Sequence, residues 1–184
     1  MSRAAVLLAA LMIALVAPAA ARAGTLVDRA VQGLQSDNVY VDPDASPGLS
    51  DADAQRLRDR IASTRAGAVY VAVMPEAIDR EAGGDPTSAL GQIARGINQH
   101  GTYVLVAGRH LRALSDRLEA GEAGQLASDA IDARKADGLP AILLDFVDRV
   151  GEAQSSGGGS GGGDGGGGGH HGGGGDGGGG GGHH

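Results

Sequence analysis

Three uninterrupted apolar runs, separated by amphipathic stretches, constrain this chain more than any other feature. Ala68–Met74 is apolar at nearly every position, and Thr102–Ala107 and the shorter Val39-Tyr40-Val41 read the same way. A strand that is apolar on both sides must be covered on both faces, as parallel strands are. Between and beyond the runs, apolar residues recur at helical spacing. The stripes are Leu26, Val27, Ala30, Val31 and Leu34; Ala54, Leu57 and Ile61; and Leu90, Ile93, Ala94 and Ile97. Two more follow, Ala123–Ile131 and Ile142–Val150. This alternation predicts a single three-layer α/β/α domain with a mostly parallel sheet of three to four strands. Arg109–Leu114 is expected as the fourth strand, at an edge.

Local punctuation agrees with that division. Ser50 followed by Asp53 is a capping-box variant, and Asp85-Pro86 is a helix start with Pro at its first position. Gly101 is the expected stop of that helix. Asp79–Gly84 reads as an exposed connection. Tyr40, Tyr70 and Tyr103 fall in or beside strands and are expected as sheet-face residues.

The two ends have their own composition. Residues 1–23 resemble a secretory signal: Arg3, an apolar run from Ala4 to Val16, Pro18, and an Ala21-Arg22-Ala23 cleavage box. The alternative is an uncleaved membrane anchor, the one route by which this chain would meet a membrane. Residues 24–38 form an N-terminal helix and 39–153 the α/β domain. Residues 154–184 are a Gly- and His-rich tail, expected to be disordered because it has nothing to bury. Its pairs His170-His171 and His183-His184 are candidate ligands for Ni2+, Zn2+ or Cu2+. The alternative is a solubilising low-complexity tail.

Composition excludes several functions. There is no cysteine, so disulfides, thiolate metal sites and cysteine nucleophiles are absent. The net charge of −7 and the lack of a basic stripe argue against nucleic acid as a partner. No serine lies in a G-x-S-x-G elbow. His100 and His110 do not form an H-E-x-x-H pattern, and Gly83-Gly84 is not followed by the Lys-Ser/Thr of a phosphate loop.

What remains is the rim where parallel strands end, the usual ligand position in open α/β sheets. The first run leads into Asp42 and Asp44, the second into Pro75 and Glu76, the third into Gly108, Arg109 and His110. Asp42, Asp44 and Glu76 are hard oxygen ligands suited to Ca2+, and Arg109 suits an anion such as phosphate. The same residues also fit ordinary turn chemistry, with Arg109 paired to Glu76.

Val39-Tyr40-Val41-Asp42, Leu49-Ser50-Asp51-Ala52-Asp53, Ala68–Met74 and Gly101-Thr102-Tyr103-Val104-Leu105-Val106-Ala107 together resemble the TPM domain family. The resemblance covers roughly residues 39–150. It implies export, calcium binding and, for some members, acid phosphatase activity. Only Asp42 and Asp44 align with the family's acidic loop, and Gly108-Arg109-His110 stands where members carry an acidic pair. The resulting expectation is a non-catalytic module at the outer face of the cell envelope that binds an envelope protein or a divalent ion. The alternatives are a divalent-dependent phosphoester hydrolase and a tail-mediated metal-binding tether.

Overall fold

The computed structural model describes residues 25–157. The signal-like segment and the four tail histidines His170, His171, His183 and His184 lie outside the described residues. The elements are α1 (Leu26–Ser36), β1 (Val39–Val41), α2 (Asp51–Ser63), β2 (Val69–Met74), α3 (Ala77–Glu81) and α4 (Pro86–Ile97). They continue with β3 (Thr102–Ala107), β4 (His110–Ser115), α5 (Glu122–Arg134) and α6 (Leu139–Gly157). The sheet runs β1-β2-β3-β4; the first three strands are parallel and β4 returns antiparallel to β3. With helices on both faces, this is the three-layer α/β/α arrangement that the apolar runs predict.

Each central strand feeds two cores because successive side chains point to opposite faces. Val69, Val71 and Val73 of β2 and Val104 and Val106 of β3 pack with α2, α5 and α6. Ala72, Met74, Tyr103, Leu105 and Ala107 pack with α1, α3 and α4. Phe146, the chain's one phenylalanine, is fully buried in the first core.

The two parallel crossovers lie on opposite faces, α2 on one and α3–α4 on the other. The strand order is nonetheless sequential. Same-handed crossovers would fall on one face, so these two have opposite hands, against a strong general preference for the right-handed form. The chain leaving β1 therefore turns to one side of the sheet and the chain leaving β2 to the other. Divergence of this kind is what opens a crevice at the carboxyl ends of neighbouring strands.

Three local expectations are corrected. The segment 79–84 is not wholly an exposed connection: its start belongs to α3, where Ile78 and Asp79 are buried. The helix before β3 ends at Asn98, which takes the left-handed conformation at φ 52°, one that asparagine tolerates. Gly101 instead serves a close approach, since a Cβ there would sit 2.5 Å from the Ala68 carbonyl oxygen. Finally, α6 runs on to Gly157, past the expected start of the tail at 154. The Ser155 and Ser156 hydroxyls donate back to the carbonyls of Gly151 and Glu152, and Gln154 donates to Ala66 O at 2.7 Å.

Gly33 lies inside α1, where glycine costs about 1 kcal/mol relative to alanine. The Tyr40 ring occupies the missing side-chain volume: a Cβ on Gly33 would lie 2.1 Å from Tyr40 Cδ2. Gly33→Ala is expected to lower stability by about 2 kcal/mol through overpacking, although it raises helix propensity. Urea unfolding of the variant checks this; a stabilised protein would contradict the packing.

Candidate functional site

The first turn beyond β1 holds the most buried carboxylate of the described residues. Asp42 continues the ladder, its amide donating to Val73 O at 2.8 Å, and its side chain turns toward α1 with the residue only 1% exposed. Burying a carboxylate without partners is costly, and Asp42 has three. Arg29 Nη1 of α1 is 3.2 Å from Oδ2. The Tyr40 hydroxyl donates to Oδ2 at 3.3 Å, and the Asp44 amide donates to Oδ1 at 3.0 Å. Asp44 itself is exposed and lies 3.8 Å from the same guanidinium nitrogen.

The helix spacing explains how Arg29 arrives there. Arg29 and Gly33 are four residues apart and share one face of α1. α1 runs back along β1, so Gly33 meets the Tyr40 ring while Arg29, one turn earlier, reaches Asp42 beyond it. Burial pushes the Tyr40 hydroxyl above its ordinary pKa, and the Asp42 charge pushes it further, with Arg29 acting in the opposite direction.

The other expected rim residues lie elsewhere. Glu76 is exposed and leads into α3. Its side chain lies over the β3–β4 turn, where a Cβ on Gly108 would be 3.2 Å from Glu76 Oε2. Gly108 has φ 58°, so this turn needs glycine on both counts. Arg109, at the tip of the turn, is exposed. His110 Nδ1 is 3.4 Å from Asp79 Oδ2. The other Asp79 oxygen is buried and has no hydrogen-bond partner among the described residues. The structure thus joins Asp42 to Asp44 through Arg29 and leaves Glu76 with the Gly108–Arg109 turn. Among the described residues, no three His, Asp or Glu side chains gather closely enough to hold a metal ion.

At the far end of the sheet, His100 lies between α4 and β3. Its Nδ1 pairs with Asp116, whose carboxylate also accepts from the Gly101 amide at 2.8 Å. These bonds, the one from His100 foremost, hold the Asp116 carboxyl below its usual value.

A groove of about 790 Å³ runs along the outer edge of β1, from Gly33 and Asp37 on the α1 side to Asp51, Ala54, Gln55 and Arg58 on α2. In a parallel ladder, one residue in two directs its amide and carbonyl to each side. Asn38 and Asp42 bond to β2, so Val39 and Val41 face the groove. Val39 is closed off by side chains: its amide donates to Asp37 Oδ1, and Arg58 Nη2 donates to its carbonyl. Arg58 and Asp37 pair with each other at 2.7 Å. The Val41 amide and carbonyl have no partner among the described residues.

Sequence reasoning missed Arg29, the Tyr40 hydroxyl and Asp79. The available signal was Gly33, a helix-interior glycine four residues after an arginine and followed by a tyrosine-bearing strand. Compared with protein-family models, with curated proteins and with solved structures, the chain matches none. Among the described residues, no helix is long and apolar enough to cross a membrane.

Two outcomes follow. Arg29→Ala leaves Asp42 buried without its cation and is expected to cost about 2–3 kcal/mol, below the full buried-pair value because Arg29 is partly solvated. The same substitution in an Asp42→Asn background should cost under about 1 kcal/mol; equal losses in both backgrounds would refute the pairing. For Tyr40, a raised folded-state pKa means stability that is present below the unfolded value of about 10 and lost as pH rises through the folded one. Urea midpoints should fall above about pH 10, and Tyr40→Phe should flatten part of that fall. Tyr103, also raised by burial, retains the remainder.

Proposed function

We propose that this chain is an exported, non-catalytic α/β module that acts at the outer face of the cell envelope by binding a partner protein. One observation carries the reading: the rim carboxylate best placed to do chemistry, Asp42, is committed inside the domain to Arg29, Tyr40 and the Asp44 amide. Calcium asks for six to eight oxygen ligands around a position free of other cations. Here a guanidinium already neutralises Asp42, so the donor set does not fit that ion. A phosphoester hydrolase would need Asp42, Asp44 and Glu76 on one cation with Arg109 on the phosphate. The dispersal of those residues over separate turns counts against it. The sequence features shared with the TPM domain family and the signal-like residues 1–23 support export and an envelope setting. The tail histidines form a separate candidate for metal binding and play no part in this reading.

The test is thermal unfolding of the full chain and of Asp42→Asn, with and without millimolar calcium, an ion that takes oxygen ligands rather than the tail imidazoles. A bound ion at about 100 times its Kd would add about 2.7 kcal/mol. The expected result is no calcium-dependent rise in either protein, and a lower Tm in the variant at every calcium level. A rise present in the wild type and lost in Asp42→Asn would overturn the reading in favour of a cation site.

A further inference from the structure

We propose that the outer edge of β1 is a docking strand for an extended, basic peptide segment of a partner protein. This rests on the reading of the domain as a partner-binding module, and it names the surface and the ligand chemistry. The edge offers one free pair of main-chain groups, the Val41 amide and carbonyl, beside a groove; the opposite edge of the sheet is β4. Strand addition uses such groups for affinity and neighbouring side-chain pockets for selectivity. The pocket is present: Leu49, Ala45 and Ala54 form an apolar wall beside Val41. The groove volume, about 790 Å³, is within the range of ligand sites.

Charge selects the occupant. The cations nearest the groove are spent, Arg29 on Asp42 and Arg58 on Asp37. Asp51 at the head of α2 is exposed and has no cationic partner among the described residues, and Asp44 on the adjoining loop is exposed with Arg29 3.8 Å away. A ligand that alternates apolar and basic side chains places one set on the apolar wall and the other toward these carboxylates. A second copy of this chain would bring the same acids to face them, and its own β1 offers only three residues. Residues 158–184 consist of Gly, Ser, Asp and His. They have no apolar side chain for the wall and carry further acids. The Asp37–Arg58 clasp over Val39 limits pairing to the carboxyl half of the strand, so the ligand's register is fixed by Val41.

The test uses the full chain and a labelled heptapeptide of alternating Arg and Val, with amide hydrogen exchange and NMR shifts as readouts. The Val41 amide should become protected, with shifts at Leu49 and Ala54. N-methylating the peptide residue opposite Val41 removes a main-chain hydrogen bond and should weaken binding about tenfold. Asp51→Lys should weaken it about fivefold, and replacing the peptide's Arg by Glu should abolish it. Equal affinity for the N-methylated peptide, or shifts confined to residues away from β1, would overturn the edge site. So would a Val41 amide already protected in the dilute chain alone, which would assign the edge to the chain's own residues. Concentration-dependent dimerisation that protects Val41 would overturn it in favour of a second copy. Each of these results leaves the calcium response unchanged, so failure of the edge site is separable from a calcium response that would make Asp42 a cation site.

Discussion

The Arg29–Asp42 ion pair is the contact on which the carboxyl end of this sheet depends. It joins α1, which precedes the sheet, to the residue that follows β1. Desolvating a carboxylate is expensive, and the attraction to a guanidinium repays it only when the remaining lone pairs are also satisfied. Here they are, by a phenol on one oxygen and a main-chain amide on the other. The Asp44 amide bond also shapes the turn that follows, so one carboxylate fixes both the helix and the loop. Without it, α1 would rest on the sheet through Ala30, Leu34 and their apolar neighbours, with Glu81 of α3 holding the Leu26 and Val27 amides.

The topology gives that contact its place. The connections leaving β1 and β2 go to opposite faces, so α2 covers one face of β1 and leaves the other open. The space is closed from the other direction by α1, and the Tyr40 ring is wedged against Gly33 to allow it. A larger residue at 33 would lift the helix, move Arg29 away from Asp42 and expose a charge. The glycine, the tyrosine, the arginine and the aspartate thus form one mechanical unit spread over fourteen positions of sequence, 29–42.

Much of the fold was legible because its signals are local. Apolar runs set β2 and β3, a side-chain cap at Ser50 and another at Asp85 set the starts of α2 and α4, and both caps form in the structure. Where the sequence misled, tertiary contacts decided. Gly101 resembled a helix stop, yet its smallness serves the Ala68 backbone, and Asn98 supplies the left-handed residue. Ser155 and Ser156 looked like tail residues, yet their hydroxyls cap carbonyls of the helix they extend. The candidate site was half legible. Asp42 and Asp44 were visible as strand-end acids, but their counter-ion came from a helix read only for its apolar stripe. Periodicity marks the face of a helix that is buried; it says nothing about a charged residue at the border of that face which reaches a buried partner.

The same economy of cations distinguishes the two halves of the β1 edge. Exposed edges invite uncontrolled pairing, and proteins commonly blunt them with charge. At Val39 the blunting is explicit, with an aspartate and an arginine occupying the amide and the carbonyl. At Val41 no such clasp exists, although Arg29 is close enough to the loop to approach Asp44 at 3.8 Å. Its guanidinium pairs with Asp42. An edge open at a single residue, beside an apolar wall and the exposed Asp51, favours a short basic strand over the long self-complementary pairing that leads to aggregation.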